Sequence, residues 1–265
     1  MAGSDWKVVM NADGVTISSD LFQLTTNSAE PTQLETVVTE LQNIMHGTYG
    51  QYCGLSRAAE MIGERWSLLI LRDLLVSPKT VADLRAGLPR ISANVLETRL
   101  REMEYSGVVR RQDPMREQDQ TVYELTEYGR SVEDVMLALS RWGAMALAAP
   151  RPEDILTEDS VVMALRSTFR ADAAADRKAS FEVRLGEVVV HAVVDHGELT
   201  VNAGSLPEAD VIIESDTELK SLLSRAVSTE DALASRQVTV TGDPSLLDMF
   251  VEVFQLPAAP SPVRV

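Results

Sequence analysis

Between Ser92 and Gly107 lies SANVLETRLREMEYSG, in which Leu96, Leu100 and Met103 recur at helical spacing. At 100° per residue, Asn94, Glu97, Thr98 and Arg101 project to the opposite side of such a helix. These side chains have the chemistry to read base edges. Arginine pairs with guanine O6 and N7, and asparagine with adenine N6 and N7. Thr98 suits a phosphate or a thymine methyl, while Glu97 repels phosphate unless it accepts from a cytosine amine. Ser92 stands where an N-cap belongs. Arg110, Arg111 and Arg116 follow on the next segment and suit phosphate contacts, which position a protein without specifying sequence. The alternative is that all of these are ordinary solvated polar groups.

Other chemistry is sparse. One cysteine, Cys53, excludes a disulfide framework and any cysteine-rich zinc or iron–sulfur site. The three histidines, His46, His191 and His196, are scattered, so no metal site and no cofactor are expected. His191 and His196 have no paired nucleophile nearby in sequence, and no enzymatic activity is expected. Cys53 precedes a helical segment, where a thiolate has a lowered pKa and reacts with oxidants. Its other reading is an inert, small apolar residue.

The elements that would position these residues follow from periodicity and punctuation. Trp66–Val76 is almost uniformly apolar and fits a helix buried on most sides. Lys79-Thr80 opens a short helix with Val81, Leu84 and Leu88 on one face, and Pro89 breaks it. The helix from Ser92 is ended by Gly107. A strand, VVRRQ, a polar turn, DPMREQDQ, and a second strand, TVYEL, complete the order of a winged helix–turn–helix domain. From Thr126 to Ala148 the pattern reads as one long helix carrying Val132, Val135, Met136, Leu139, Trp142 and Ala146 as a stripe. That face exceeds what one small core can bury. Dimer packing through Val135, Leu139 and Trp142 is expected, with two domains reading half-sites of a pseudo-palindromic operator.

Charge first argues the other way. The 265 residues carry 40 acidic against 24 basic side chains, a formal charge of −16 and a pI near 4.6. Divided by region, the acidity sits at the ends, whereas residues 65–116 hold ten Arg and Lys against six acids. Apolar residues make up 45% of the chain and mean hydropathy is −0.03, so a packed core is expected and wholesale disorder is not. No apolar run approaches the roughly 18 residues of a membrane span, and no secretion signal opens the chain. A soluble, cytoplasmic protein without membrane contact is expected.

The middle of the chain resembles a known family. Cys53-Gly-Leu-Ser-Arg-Ala-Ala, Ile62-Gly-Glu-Arg-Trp-Ser-Leu-Leu-Ile-Leu-Arg-Asp, Ile91-Ser92, Arg99-Leu-Arg-Glu-Met103, Tyr123-Glu-Leu-Thr-Glu-Tyr-Gly129 and Trp142-Gly143 look like the HxlR-type regulators, in order and spacing. The resemblance covers residues 53–147. It implies a dimeric bacterial transcription regulator with the helix from Ser92 in the major groove and the hairpin wing near the backbone. The usual Cys-Pro pair is here Cys53-Gly54, which loosens expectations of local geometry there.

After Pro150-Arg-Pro152, a linker signal, come a helix near Thr157–Arg170 and period-2 segments at 181–185, 188–194, 198–202 and 209–213. Asp195-His-Gly-Glu198 signals a tight turn. Two further helical patterns flank a strand at Gln237–Thr241. An antiparallel sheet with helices on one face is expected. The pattern resembles the sterol carrier protein type 2 fold, through Asp195…Gly197-Glu-Leu-Thr-Val, Ala209-Asp-Val-Ile-Ile-Glu-Ser-Asp216 and Val238-Thr-Val-Thr-Gly-Asp-Pro244. That resemblance implies an apolar cavity for a hydrophobic molecule; Ala234-Ser-Arg-Gln departs from the usual glycine turn. Leu199, Val201, Leu222, Met249, Phe250 and Phe254 are the candidate cavity wall, and plain core is their other reading.

The fold class is therefore mixed: an α-rich winged helix–turn–helix domain followed by a small α+β sterol-carrier-like domain. The expected divisions are an extension of unknown role (1–50), the DNA-binding and dimerisation domain (51–149), a linker (150–156), the ligand-binding domain (157–256) and a tail (257–265). Residues 1–44 read as a poorly ordered extension or a misassigned start, with a hairpin at Trp6–Ile17 as an option. The function expected is a homodimeric DNA-binding regulator responsive to a hydrophobic effector. The alternative is a lipid-binding or carrier protein whose winged helix mediates protein contact.

Overall fold

The computed structural model describes residues 48–112, 120–147, 150–151, 153–215 and 219–256, with the backbone of three strands before residue 27. The chain divides into two units, 1–60 and 61–265. In the first, β1 (Lys7–Asn11), β2 (Gly14–Ser19) and β3 (Phe22–Thr26) form an antiparallel meander. Its first hairpin pairs Asn11 with Gly14, at the Asn-Ala-Asp-Gly turn signal. The β1–β2 hairpin is the one that the Trp6–Ile17 segment offered as an option. Helix α1 (Gly54–Ile62) leads out of this unit.

The second unit begins with the helix–turn–helix. Helix α2 (Ser67–Val76) buries Ile70, Leu71, Leu74 and Leu75, as its apolar run demands. Lys79-Thr80 is a two-residue strand, β4, rather than the opening of a helix. Thr80 instead caps α3 (Val81–Gly87), its hydroxyl accepting from the Asp83 amide while the Asp83 carboxylate accepts from the Thr80 amide at 2.9 Å. These bonds hold the Asp83 carboxyl below the usual carboxylate range, the Thr80 hydroxyl contributing most. Helix α4 (Ala93–Tyr105) then crosses toward the wing. Strands β5 (Val109–Gln112) and β6 (Val122–Leu125) pair antiparallel, and β4 adds to β6 to give the order β4-β6-β5.

The long helix expected from Thr126 is two helices, α5 (Glu127–Arg130) and α6 (Glu133–Met145). The cause is local. Thr126 caps α5 and donates its hydroxyl to the Gly107 carbonyl at 2.6 Å, pinning this corner to the wing. A β-carbon on Gly129 would lie 2.0 Å from the Val108 carbonyl oxygen, so the close approach requires glycine.

Helix α7 (Glu158–Thr168), capped by Thr157, joins two hydrophobic cores. Met163 packs into the winged-helix core with Leu71, Leu74, Leu96 and Leu100. Val161, Val162 and Leu165 pack into the C-terminal core. That second core lies under a five-stranded sheet of β7 (Lys178–Leu185), β8 (Val188–Asp195), β9 (Glu198–Ala203), β10 (Val211–Ser215) and β11 (Thr239–Gly242), ordered β11-β10-β7-β8-β9. His196 and Gly197 take positive φ of 51° and 87° in the two-residue turn joining β8 to β9.

The sheet is mixed rather than wholly antiparallel, because β10 runs parallel to β7. The connection after β9 returns the chain to the far side of β7 before β10 begins, so β10 enters in the same direction as β7. Short helices α8 (Lys220–Leu223) and α9 (Thr229–Ala234) precede β11, and α10 (Ser245–Val253) follows it. Phe181, Phe250 and Phe254 meet with ring centroids 4.8–6.3 Å apart. The aliphatic core is thereby filled around one aromatic cluster.

Candidate nucleic-acid interface

Helix α4 has two chemically distinct faces. Leu96, Leu100 and Met103 are buried at 0%, 0% and 1% exposure and fix the helix to the core. Ser92 caps it, accepting from the Val95 amide at 3.4 Å. Asn94, Glu97 and Arg101 stand exposed on the other face, with Thr98 half-buried between them. Arg101 donates Nε to the Glu97 carbonyl of its own helix at 3.4 Å and stays exposed. One rigid helix therefore presents an amide, a hydroxyl and a guanidinium together, the set that base edges require.

The wing is held by a carboxylate. Glu124 is 9% exposed, and its Oε1 accepts from Arg110 Nε at 2.6 Å and from Gln112 Nε2. Arg110 is thus an ion-paired wing residue whose charge is partly neutralised, not a bare phosphate ligand. Arg111 is exposed beside it. Arg116 lies outside the described residues.

Residues 61–150 match the family model described as HxlR-like helix-turn-helix. The HTH-type transcriptional regulator YtcD of Bacillus subtilis (strain 168) is 38% identical over 85 residues, 32% of this chain and 68% of that protein. YkvN of the same organism, another HTH-type transcriptional regulator, is 34% identical over 91 residues, 34% of this chain and 77% of that protein. The chain belongs to the HxlR-like helix–turn–helix family. The crystal structure of the HTH-type regulator ytcD is 35% identical, with a TM-score of 0.34, covering 35% of this chain and 94% of that one. Both of these relatives are HTH-type transcriptional regulators.

Within the HxlR-like part, the stripe on α6 divides. Met136 is 7% exposed and Val132 packs against the same core, whereas Val135, Leu139 and Trp142 are 61%, 39% and 69% exposed. Ala146 is half-buried. Among the described residues Val135, Leu139 and Trp142 remain exposed along one side of α6. Cys53 is exposed just before α1, and the Ser56 and then the Leu55 amides draw its thiol below the usual range.

The candidate ligand residues of the C-terminal half lie together, but as core. Val201, Leu222, Met249, Phe250 and Phe254 are buried in one cluster, with Leu199 partly buried against it. The Gly204 carbonyl accepts from His191 Nδ1 at 2.8 Å, a structural bond. Among the described residues no group of histidine, cysteine and carboxylate side chains could hold a metal ion, and no helix is long and apolar enough to cross a membrane.

Three residues around α4 escaped the sequence reading. Arg85 and Arg90 are exposed on α3 and just ahead of the Ser92 cap, and Val95 is 37% exposed on α4 itself. Arg85 and Arg90 suit phosphates, and Val95 suits a thymine methyl. Their signal was available: Val95 falls one turn before Arg99 and off the Leu96–Leu100 stripe.

Proposed function

We propose that this HxlR-like protein is a DNA-binding transcription regulator that works as a homodimer in the cytoplasm. Helix α4 enters the major groove, with Asn94, Thr98 and Arg101 on base edges and Ser92 and Glu97 at the margins of the contact. Arg110, Arg111 and Arg116 place the wing on phosphates. The carrying observation is the exposed polar face of a capped helix whose opposite face is wholly buried. The cluster of Val135, Leu139 and Trp142 supports a second copy on α6, which would set two α4 helices on half-sites of a pseudo-palindrome.

The C-terminal half is the sensor in this reading. Its sheet with helices against one face supports the sterol-carrier-like assignment. A hydrophobic effector would enter by parting Phe250 and Phe254 from Phe181, against a wall of Leu199, Val201, Leu222 and Met249. Such a ligand alters DNA affinity only through unequal affinity for the two arrangements, typically by about 1–3 kcal/mol. Cys53 supplies a second input, an oxidant-responsive thiol whose amide contacts favour the thiolate.

Mapping of genomic binding sites, followed by retardation of the recovered DNA, tests the reading. One palindromic motif bound with steep salt dependence is expected. Uniform low occupancy without a motif contradicts it.

A further inference from the structure

Asp73 sits in the apolar run of α2 and is 1% exposed. Its two oxygens have different surroundings. Oδ1 accepts from Arg72 Nε at 2.7 Å and lies 2.7 Å from Nη2 of the same guanidinium. Oδ2 is closed to solvent and has no hydrogen-bond partner. It lies against Gly87, where a β-carbon would stand only 2.9 Å from it. Gly87 is the last residue of α3, the end at which a helix leaves carbonyls unpaired and partially negative. An ionised Oδ2 is therefore both unsatisfied and set against negative charge.

The charged groups around it do not relieve this. Lys79 of β4 favours the ionised form, but its Nζ is committed to Asp159 of α7 at 2.9 Å, and Asp159 opposes a second charge. On α3, Asp83 is held in the Thr80 cap and Arg85 is exposed. On α7, Glu158 is exposed and Arg166 donates to the Leu75 carbonyl. Burial outweighs the Arg72 guanidinium and pushes the Asp73 carboxyl up to about 6. A proton fits a space too tight for a β-carbon, and it turns Oδ2 into a donor at the end of α3.

We propose that Asp73 is a proton-operated latch between the two helices α2 and α3. Protonated, it holds the end of α3 against α2; ionised, it loosens that contact. Residues 48–147 contain no histidine, so no imidazole supplies such a switch in this part of the chain. The latched form keeps a proton that an opened α3 would release above about pH 4. Its advantage is full below about pH 4 and is lost as pH rises to about 6. Because α3 leads through residues 88–92 into α4, loosening reaches the helix assigned to the major groove. That last step alone rests on the DNA-binding reading.

Hydrogen exchange of the full chain without DNA, followed by mass spectrometry and corrected for the chemical exchange rate, tests the latch independently of that reading. Protection of the α3 amides is expected to be about tenfold higher at pH 5 than at pH 7.5, the factor for a carboxyl near 6 when latched and near 4 when open. The amides of α10 are expected to show no such difference. Asp73→Asn keeps a donor that does not titrate, so its α3 protection is expected to be equal at both pH values. Arg72→Gln removes the charge that favours ionisation and is expected to move the loss of protection to higher pH, which a purely structural role would not do. Equal α3 protection at both pH values in the wild type, or the wild-type difference persisting in Asp73→Asn, overturns the latch. Operator affinity that falls with α3 protection in the wild type and stays level in Asp73→Asn supports the reach to α4. Level affinity in both proteins, with the exchange difference intact, overturns that step alone.

Discussion

Lys79 Nζ stands 2.9 Å from Asp159 Oδ1, which fastens the strand ahead of α3 to the first turn of α7 across 80 residues of sequence. The side chains are only 17% and 13% exposed, so solvent screens the pair weakly. Arg166 of the same helix donates to the Leu75 carbonyl at 3.1 Å, and Arg141 donates to the Ser167 carbonyl at 2.9 Å. With Met163 in the winged-helix core, α7 belongs to both halves of the second unit. The two halves are thus joined by direct contacts along this helix.

Asp73 makes acid stability informative. Burial pushes its carboxyl up to about 6, against the opposing charge of Arg72. The folded protein therefore keeps a proton that the unfolded chain releases above about pH 4. Stability from this group falls between about pH 4 and 6, and the deficit is complete above that window. Asp73→Asn is expected to raise stability at pH 7 by about 2–3 kcal/mol and to change it little at pH 4. Urea denaturation at both pH values is the check, and a loss of stability at pH 7 contradicts the account.

Gly129→Ala drives a methyl into the Val108 carbonyl and must displace the α5 corner from the wing. A destabilisation of about 1–3 kcal/mol or more is expected in denaturant titrations. A change within about 0.5 kcal/mol, the range of ordinary surface substitutions, would show the corner to be adaptable.

Leu139→Asp introduces charge at the centre of the exposed α6 stripe. Because Leu139 contributes little to its own core, the variant is expected to fold normally and sediment as a monomer. A dimer in analytical ultracentrifugation would place the interface elsewhere.

The Cys53 thiol, held below the usual range by the Ser56 and Leu55 amides, is expected to alkylate faster than glutathione at pH 7. Iodoacetamide kinetics followed by mass spectrometry give the comparison. Oxidant treatment should alter DNA affinity in the wild type and not in Cys53→Ser; equal responses remove Cys53 from the mechanism.

Local signals carried most of the fold. The Leu96–Leu100–Met103 spacing, the Ser92 cap and the Gly107 stop placed α4 to within a residue, because each acts through its immediate neighbours. The Thr126 corner did not read correctly, since Gly129 is required by a carbonyl from β5's approach, a contact distant in sequence. The parallel pairing of β10 with β7 was hidden for the same reason: alternation reports burial, not strand direction. At the interface, residue types showed which groups could contact DNA but not that Glu124 would claim Arg110. The Asp73 carboxylate, inside a run of leucines, gave no sign that its second oxygen would lack a partner.

The central claim is that α4 reads bases. Fluorescence anisotropy with a recovered operator and a scrambled duplex, across a salt series, measures it most directly. Arg101→Ala is expected to lose about 1–3 kcal/mol on the operator and much less on scrambled DNA, whereas Arg90→Ala weakens both alike and lowers the salt slope. Equal losses for Arg101→Ala on the two duplexes, or none, would contradict base reading by this helix.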